Sequence, residues 1–436
     1  MAPFYKLDRP ALAERLPSSF RQLDSLLGVE TADEHFGAAF RLPCLAGVDE
    51  HQLFAKICEW ALEALQDPAL QSMLADSLAP GETRAFTARQ CCGVLANAML
   101  GNVADLMAEH KHNQGGLSFT RHLRFPHGVH VHKTAALLLY FEARRLAEGT
   151  ADEGREVAFE RVQCPSDSAF ADLVRERSAA RLAADGSACT LHSGVMEAPA
   201  ADAFVNFANS NFGYGCFIPS CTQEEILQMC CPEFNVGMLL VGVMADGEAV
   251  NVRGCRRYSR YHGYLDSYEC LGAWPGHTVC TVLTLDASTH AHFSAAHVRR
   301  DVRKAYASFA ALAAATRAGG GAAATAAPTA LISTGRWGCG VFGGVPTHKF
   351  LQQLLAAALA GVRLTFSTFG QADGCDELLE AVGRSQMSVG QAWELLGACA
   401  SRSAFEGRLA ALRAAGVHAS VAGLEGEAGV GHGVGV

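Results

Sequence analysis

Apolar positions in the first 150 residues recur every three or four places. Leu53, Phe54, Ile57, Trp60, Ala61 and Leu65 fall on one helical face. Thr87 stands three residues before Gln90, a capping-box pattern, and the helix it opens runs through Val94, Leu95 and Met99 to Gly101. Ala135 to Leu146 reads as a further apolar helix that ends near Gly149. These stripes supply a core and no chemistry. After about residue 155 the pattern changes. Short β-rich runs occur at Val157 to Val162, Phe204 to Ala208, Ala249 to Val252, Thr278 to Leu285, Ala330 to Ser333 and Leu364 to Phe369. Between them lie helical stretches at Gln223 to Cys231, His297 to Leu312, Thr347 to Leu359 and Asp376 to Val382. That alternation predicts an α/β domain with a largely parallel or mixed sheet flanked by helices. Ligands in such folds sit in the loops that leave the carboxyl ends of strands.

The change of period divides the chain into an all-helical region over 1–150 and an α/β domain over 155–415. The Ala/Gly/Thr run from Ala311 to Pro328 reads as a helix end followed by a flexible insertion. Residues 420–436 are predicted to be a disordered tail.

Composition narrows the picture. Half of the 436 residues are hydrophobic and 18% are charged, enough to build a core. The net charge is -9, which argues against general nucleic-acid binding. A local site built from backbone amides and a few cations can still hold a polyanion. The opening Met1-Ala2-Pro3-Phe4-Tyr5-Lys6 lacks a basic start and apolar run, and the apolar run from Leu354 to Gly361 stops short of Arg363. With 16 cysteines and no CxxC…CxxC spacing, the expectation is a reduced, soluble protein of the nucleus or cytoplasm, with no membrane association and no structural zinc. His110, His112, His122, His127, His130 and His132 gather in one stretch. No acidic or cysteine ligand is interleaved, so no metal and no cofactor is expected there.

Two segments carry candidate chemistry. The first is Val205-Asn206-Phe207-Ala208-Asn209-Ser210-Asn211-Phe212-Gly213-Tyr214-Gly215, then seven residues, then Gln223-Glu224-Glu225-Ile226. It reads as strand, glycine-containing loop and helix start, where amides approach a ligand and a helix N-terminus favours carboxylates. Taken alone, Glu224 and Glu225 are more simply read as complements to the helix dipole. The second is Thr334-Gly335-Arg336-Trp337-Gly338-Cys339-Gly340-Val341-Phe342-Gly343-Gly344, between a predicted strand and a helix. Five glycines in eleven residues suit a loop whose amides wrap a pyrophosphate. Trp337 and Phe342 are expected to face a pocket rather than decorate a surface turn.

The second segment resembles the diphosphate-binding loop of the poly(ADP-ribose) glycohydrolase family. The first resembles that family's signature, in which a triple glycine precedes Gln-Glu-Glu by the same gap. Arg257-Tyr258-Ser259-Arg260-Tyr261-His262-Gly263-Tyr264 is similar to a tyrosine-rich strand end whose last tyrosine closes over adenosine. Thr365-Phe366-Ser367-Thr368-Phe369-Gly370 is similar to a closing strand whose phenylalanine packs on adenine, and Leu95-Ala96-Asn97-Ala98 to part of the accessory helical domain. The likeness spans roughly residues 40–400, with four motifs in order.

The resemblance implies a macrodomain-like α/β fold behind a helical accessory domain. It implies hydrolysis of ribose–ribose O-glycosidic bonds in poly(ADP-ribose), with the polymer or ADP-ribosylated proteins as partners. Glu225 takes the place of the catalytic acid/base, Glu224 that of its ribose-holding neighbour, and Asn206 that of a family aspartate. Gln223 and Asn209 match ribose or phosphate contacts, with Gly213 and Gly215 in the glycine turn. Met196 and Glu197 match an adenine-facing pair. Arg336, Trp337, Gly338, Cys339, Gly340 and Val341 match the diphosphate loop, and Tyr264, Phe342 and Phe369 the aromatic walls.

Three positions depart from the family pattern: Asn206 for Asp, Tyr214 for the middle glycine, and Arg336 for the usual Asn. A positive φ at Tyr214 would cost about 1–3 kcal/mol, and Asn206 would remove a negative charge from beside Glu225. These features keep two alternatives open: a module that binds ADP-ribose without cleaving it, and a hydrolase of another ADP-ribose linkage.

Overall fold

The protein is described here as a computed structural model covering residues 32–103, 117, 119, 128–182, 188–197, 199–217, 220–319 and 329–426. His110, His112, His122 and His127 therefore lie outside the described residues, as do 320–328 and 427–436.

In chain order the elements are α1 (Ala32–Phe40), α2 (Glu50–Gln66), α3 (Pro68–Leu74), β1 (Thr83–Thr87), α4 (Ala88–Met99), α5 (Gly128–Leu146), β2 (Glu156–Gln163) and α6 (Asp167–Glu176). Then come β3 (Cys189–His192), β4 (Ala203–Ala208), α7 (Gln223–Cys230), β5 (Glu248–Arg256), β6 (Ser259–His262), β7 (Glu269–Ala273) and β8 (Val279–Asp286). The chain continues with α8 (Ala295–Gly319), β9 (Leu331–Thr334), α9 (Pro346–Ala360), β10 (Arg363–Ser367), α10 (Cys375–Arg384), α11 (Val389–Ala398) and α12 (Arg402–Gly426). Two compact units emerge, and the boundary between them falls inside β4. One is Met1–Gln163 with Asn206–Asp286, the other Cys164–Val205 with Ala287–Val436. This grouping differs from the division at 150/155, because it places the N-terminal helices with 206–286.

In the first unit β1, β2, β5 and β8 pair antiparallel in that order. β1 falls in the region whose pattern reads as helical. Its five residues are too few to show a period, and only Phe86 is buried among them. The α4 capping box is present as predicted, with the Thr87 hydroxyl accepting from Gln90 N–H at 3.1 Å and the Gln90 amide oxygen accepting from Thr87 N–H at 3.0 Å. The register of β5 on β8 shifts between Val252 and Cys255. Gly254 sits in that bulge at φ +79°, where a Cβ would stand 2.0 Å from the Glu156 carbonyl oxygen. Only glycine fits there.

A buried ionic centre ties this unit together. Glu233 is fully buried and accepts from Arg155 at 2.6 and 3.1 Å, from the Tyr258 hydroxyl at 2.6 Å and from the Arg256 N–H at 3.1 Å. Arg155 also donates to Asp152 at 2.8 Å, and Asp152 accepts from Arg144 as well. Burial, reinforced by Glu233, pushes the Tyr258 hydroxyl well above its usual range, so it remains a donor.

In the second unit β4, β9, β10 and β3 are parallel, with Leu364 opposite both Ile332 and Cys189. The β9–α9–β10 crossover is the predicted alternation made real. α9 ends at Gly361, whose left-handed φ of +70° lets its N–H reach the Ala357 carbonyl at 2.8 Å. Strand directions across the chain are thus mixed, as the pattern anticipates. α8 runs on to Gly319, through the first half of the low-complexity run, because alanine is a strong helix former. α12 reaches Gly426, so 420–426 is helical rather than part of a disordered tail. No helix among the described residues is long and apolar enough to cross a membrane.

Glu233→Ala would leave Arg155 and Tyr258 facing each other without the carboxylate. We expect a loss of about 3–5 kcal/mol in urea unfolding. A loss below about 1 kcal/mol, as for an exposed ion pair, would show that the centre does not organise this unit.

Candidate active site

The first candidate segment, from Asn206 onward, lies in the first unit. β4 is buried along most of its length, and beyond it the chain docks on residues 242–244. Phe212 N–H donates to the Gly242 carbonyl and Met244 N–H to the Ser210 carbonyl, both at 2.8 Å. Phe212 stacks on Phe234 with ring centroids 4.6 Å apart. Gly213 then turns the backbone at φ +73°, with Met238 Cγ 2.6 Å from where a Cβ would be.

The next residue resolves one sequence expectation. Tyr214 does not have a positive φ. It opens a tight turn over Tyr214–Phe217, with its N–H on the Asn211 carbonyl at 3.0 Å. The strain expected of a side chain at this position is absent, because the left-handed residue is Gly213. Gly215 carries the other steric demand: a Cβ there would lie 1.4 Å from Glu225 Oε1.

α7 begins at this carboxylate. Glu225 Oε2 accepts from the Thr222 N–H at 2.6 Å and from the Thr222 hydroxyl, so Glu225 reaches back to the N-cap of its own helix. Glu224 turns the other way and accepts from Asn209 N–H at 3.2 Å. Gln223 accepts from Phe207 N–H at 2.7 Å. The first turn of α7 thereby satisfies alternate amides at the end of β4. Glu224 is 4% exposed and Glu225 3%, although carboxylates are almost never this buried unless paired. Dipole complementarity alone requires no such burial.

Burial first, and the charge of Glu225 second, push the Glu224 carboxyl well above the usual glutamate range. The Asn209 N–H, the Asn206 amide and the Gly213 N–H oppose that rise. Asn206 thus lies close enough to Glu224 to favour its ionised form. It is fully buried, and neither atom of its amide makes a hydrogen bond of ordinary geometry.

Tyr264 belongs to the same assembly. Leu265 and Cys221 exchange backbone hydrogen bonds of 2.6 and 3.3 Å, which ties the Tyr264 turn to the residue before the α7 cap. Ser267 closes that turn, taking the Tyr264 N–H at 3.0 Å and donating to the Tyr264 carbonyl at 2.7 Å.

The remaining candidates lie in the second unit, at the carboxyl ends of its parallel strands. Ser333 on β9 donates to the Met196 carbonyl, and Met196 and Glu197 are both buried. Ser367 at the end of β10 bonds the Gly194 carbonyl and takes the Phe369 N–H at 3.1 Å. Phe369 is 46% exposed with a positive φ of 53°, unfavourable for an aromatic residue.

The glycine-rich loop closes on itself, with Gly344 N–H on the Gly338 carbonyl at 2.9 Å. Cys339 is half-buried, Gly340 lies in open space, and Val341 at the tip is 91% exposed. Arg336 faces Asp373 at 3.6 Å, and His292 Nε2 lies 2.7 Å from the Phe342 carbonyl oxygen. Trp337, at 1% exposure, packs inward. Its ring meets the ammonium of Lys349, which lies 5.2 Å from the ring centroid.

Lys349 and Asp301 are the residues that sequence reasoning missed. Both are buried and paired with each other, and Lys349 packs directly beneath Gly338 and Gly344. Burial would raise the Asp301 carboxyl, but Lys349 and Arg300 outweigh it and hold it below its usual range. The available signal was a lysine embedded in the apolar run of α9, one turn after the glycine loop. Among the described residues, no group of three or more His, Cys, Asp or Glu is placed to hold a metal ion.

The second unit thus has parallel strands that lead into a glycine-rich loop, and the first has two buried carboxylates at a helix start. Residues 180–376 match the family model described as poly(ADP-ribose) glycohydrolase, macro domain fold, and this segment is similar to that family. Among curated relatives, poly(ADP-ribose) glycohydrolases 1 and 2 of Caenorhabditis elegans are each 29% identical, over 44% and 43% of this chain. The matches span only 26% and 42% of those proteins' own lengths. A solved poly(ADP-ribose) glycohydrolase from Thermomonospora curvata aligns at 19% identity over 59% of this chain and 99% of its own, with a TM-score of 0.33.

Two substitutions separate the demands of the turn. Gly215→Ala should displace the Glu225 carboxylate and abolish any activity that depends on it. Tyr214→Gly should relieve nothing and lower stability by roughly 0.5–1 kcal/mol through added freedom of the unfolded chain. Unfolding curves and activity assays of both variants check this; a stabilised Tyr214→Gly protein would restore the strain reading.

Proposed function

We propose that this chain hydrolyses ribose–ribose O-glycosidic bonds in poly(ADP-ribose) and releases ADP-ribose. The observation that carries this reading is the pair of adjacent buried carboxylates at the start of α7, one of them lying against Gly215. Buried carboxylates with different partners are what acid–base work on a sugar requires. In this reading Glu225 protonates the leaving ribose oxygen as the glycosidic bond breaks. The electron-deficient anomeric carbon takes up water, and Glu225 accepts the proton that water loses. Glu224, held on Asn209 N–H, orients the ribose. In the second unit the amides and Arg336 of the 335–344 loop bind the diphosphate. The exposed rings of Phe369 and Tyr264 supply base and ribose contacts. The relatives' names point to the same activity. We assign the protein to the nucleus or cytoplasm on the strength of its many thiols.

Asn206 favours a second reading, a module that binds ADP-ribose without cleaving it, because it replaces the family's charged residue next to Glu224. Product analysis distinguishes the two. Free ADP-ribose accumulating from polymer supports the hydrolase, and binding without release selects the module.

Glu225→Gln should lower the release rate by roughly 10²–10⁴ while leaving ADP-ribose affinity within a few fold. The amide keeps an acceptor for Thr222 but has no proton to give. Chromatographic product assays and calorimetry read the two quantities separately; unchanged release would remove Glu225 from the mechanism.

A further inference from the structure

The β6–β7 hairpin of the first unit carries more cationic and aromatic surface than this reaction uses. Arg260 and His262 alternate with inward-facing residues along β6 and are both exposed. Tyr261 between them stacks on Tyr268, ring centroids 6.1 Å apart. At the base of the hairpin Arg257 lies over Trp274, its guanidinium carbon 3.9 Å from the ring centroid. Trp274 is fixed in turn by donating from Nε1 to the Thr278 hydroxyl at 3.1 Å. Arg260 Nε donates to the Ala273 carbonyl at 3.1 Å, a neutral partner. The sheet arginines of this unit sit on carboxylates instead: Arg161 on Glu248 at 2.7 Å, Arg155 on Glu233 at 2.6 Å, and Arg253 on Glu160. Asp266 and Glu269 bound the patch on the turn side, where Glu269 faces His262 across the hairpin. The hairpin thus brings Arg257, Trp274 and Arg260 together, with His262 and Glu269 toward the turn.

This face runs directly into the proposed site. Arg260 and Tyr264 are separated by four residues, at most about 14 Å of chain, and the Tyr264 turn is bonded to Cys221 at the entry to α7. A flexible chain held at Tyr264 would therefore pass along the hairpin. The repeat unit of poly(ADP-ribose) alternates a doubly anionic diphosphate with a purine. An arginine beside a guanidinium–tryptophan stack offers partners for both.

We propose that the β6–β7 hairpin is a second polymer subsite. It binds the ADP-ribose unit next to the one being released, with diphosphate on Arg260 and Arg257 and base against Trp274. The subsite rests on the polymer reading above and adds to it a reason to prefer chains over single units. Nucleic acid shares the polyanionic character but is the less favoured occupant, given the chain's overall acidity.

The test uses the full chain carrying Glu225→Gln, so that substrate is bound and not consumed. Fluorescence anisotropy is measured with ADP-ribose, with poly(ADP-ribose) of several units, and with single-stranded RNA of similar charge. Arg260→Glu should weaken polymer binding roughly tenfold at low salt and flatten its salt dependence. ADP-ribose affinity should stay unchanged, and Arg260→Lys should retain most of the polymer affinity. Trp274→Leu should weaken the polymer and spare ADP-ribose. Polymer affinity indifferent to both substitutions, or falling in step with ADP-ribose, overturns the subsite. RNA bound as tightly and lost equally in Arg260→Glu also overturns it, in favour of an unspecific polyanion face. If the protein with an intact hairpin binds neither ADP-ribose nor polymer, the polymer reading fails and the subsite with it, a result visible before any hairpin residue is changed.

Discussion

Two adjacent carboxylates buried in the first turn of a buried helix are the constraint on which the rest of the first unit depends. Charge in such a place is costly unless it is hydrogen-bonded or neutralised. α7 answers with its own cap: Thr222 holds Glu225, Asn209 N–H holds Glu224, and Gln223 secures the helix start to Phe207. The glycines follow from the same need. Gly215 clears the space that Glu225 fills, and Gly213 turns the chain at positive φ where a Cβ would strike Met238. Just beyond the far end of α7, Glu233 anchors the following turn to Arg155 and Tyr258. The helix is thus fixed at both ends, and an acid or base mounted on it keeps one orientation.

The second unit solves a different problem, the support of an exposed glycine-rich loop that bonds largely to itself. Its glycine-rich loop is short of side-chain packing, so its shape must come from beneath. Lys349 and Asp301 supply that support as a fully buried pair, and Trp337 folds down over the lysine to complete it. Phe369, a candidate base contact, illustrates the corresponding cost. An exposed aromatic ring held at positive φ is unfavourable, and Ser367 stabilises it through the backbone N–H.

Much of this was legible in the residues. The period of the apolar positions located α2, α4, β9, α9 and β10, and strand–glycine–helix order located both candidate loops. Three kinds of feature were hidden. Short strands such as β1 and β3 show no period over four or five residues. Backbone conformation is not visible in a motif, so a tyrosine in a glycine triplet suggested strain where Gly213 alone bears the left-handed turn. Pairing between distant residues leaves no local signature. The Lys349–Asp301 pair and the influence of Asn206 on Glu224 could be seen only once the chain had folded. Trp337 shows the limit of composition: a large ring in a glycine loop faced inward because a buried cation waited there.

The central claim is that burial beside a second carboxylate keeps a proton on Glu224 where an ordinary glutamate has lost it. A carboxyl raised in this way binds a proton that the unfolded chain releases. Its contribution to stability therefore declines as pH climbs above the usual glutamate range toward the raised folded value. The direct measurement is a pH titration of carbon-13-labelled glutamate carboxyls by NMR, with the Glu224 signal assigned by its loss in Glu224→Gln. The account predicts that this signal stays in its protonated position after the exposed glutamates have ionised. A Glu224 carboxyl that titrates together with them would contradict it.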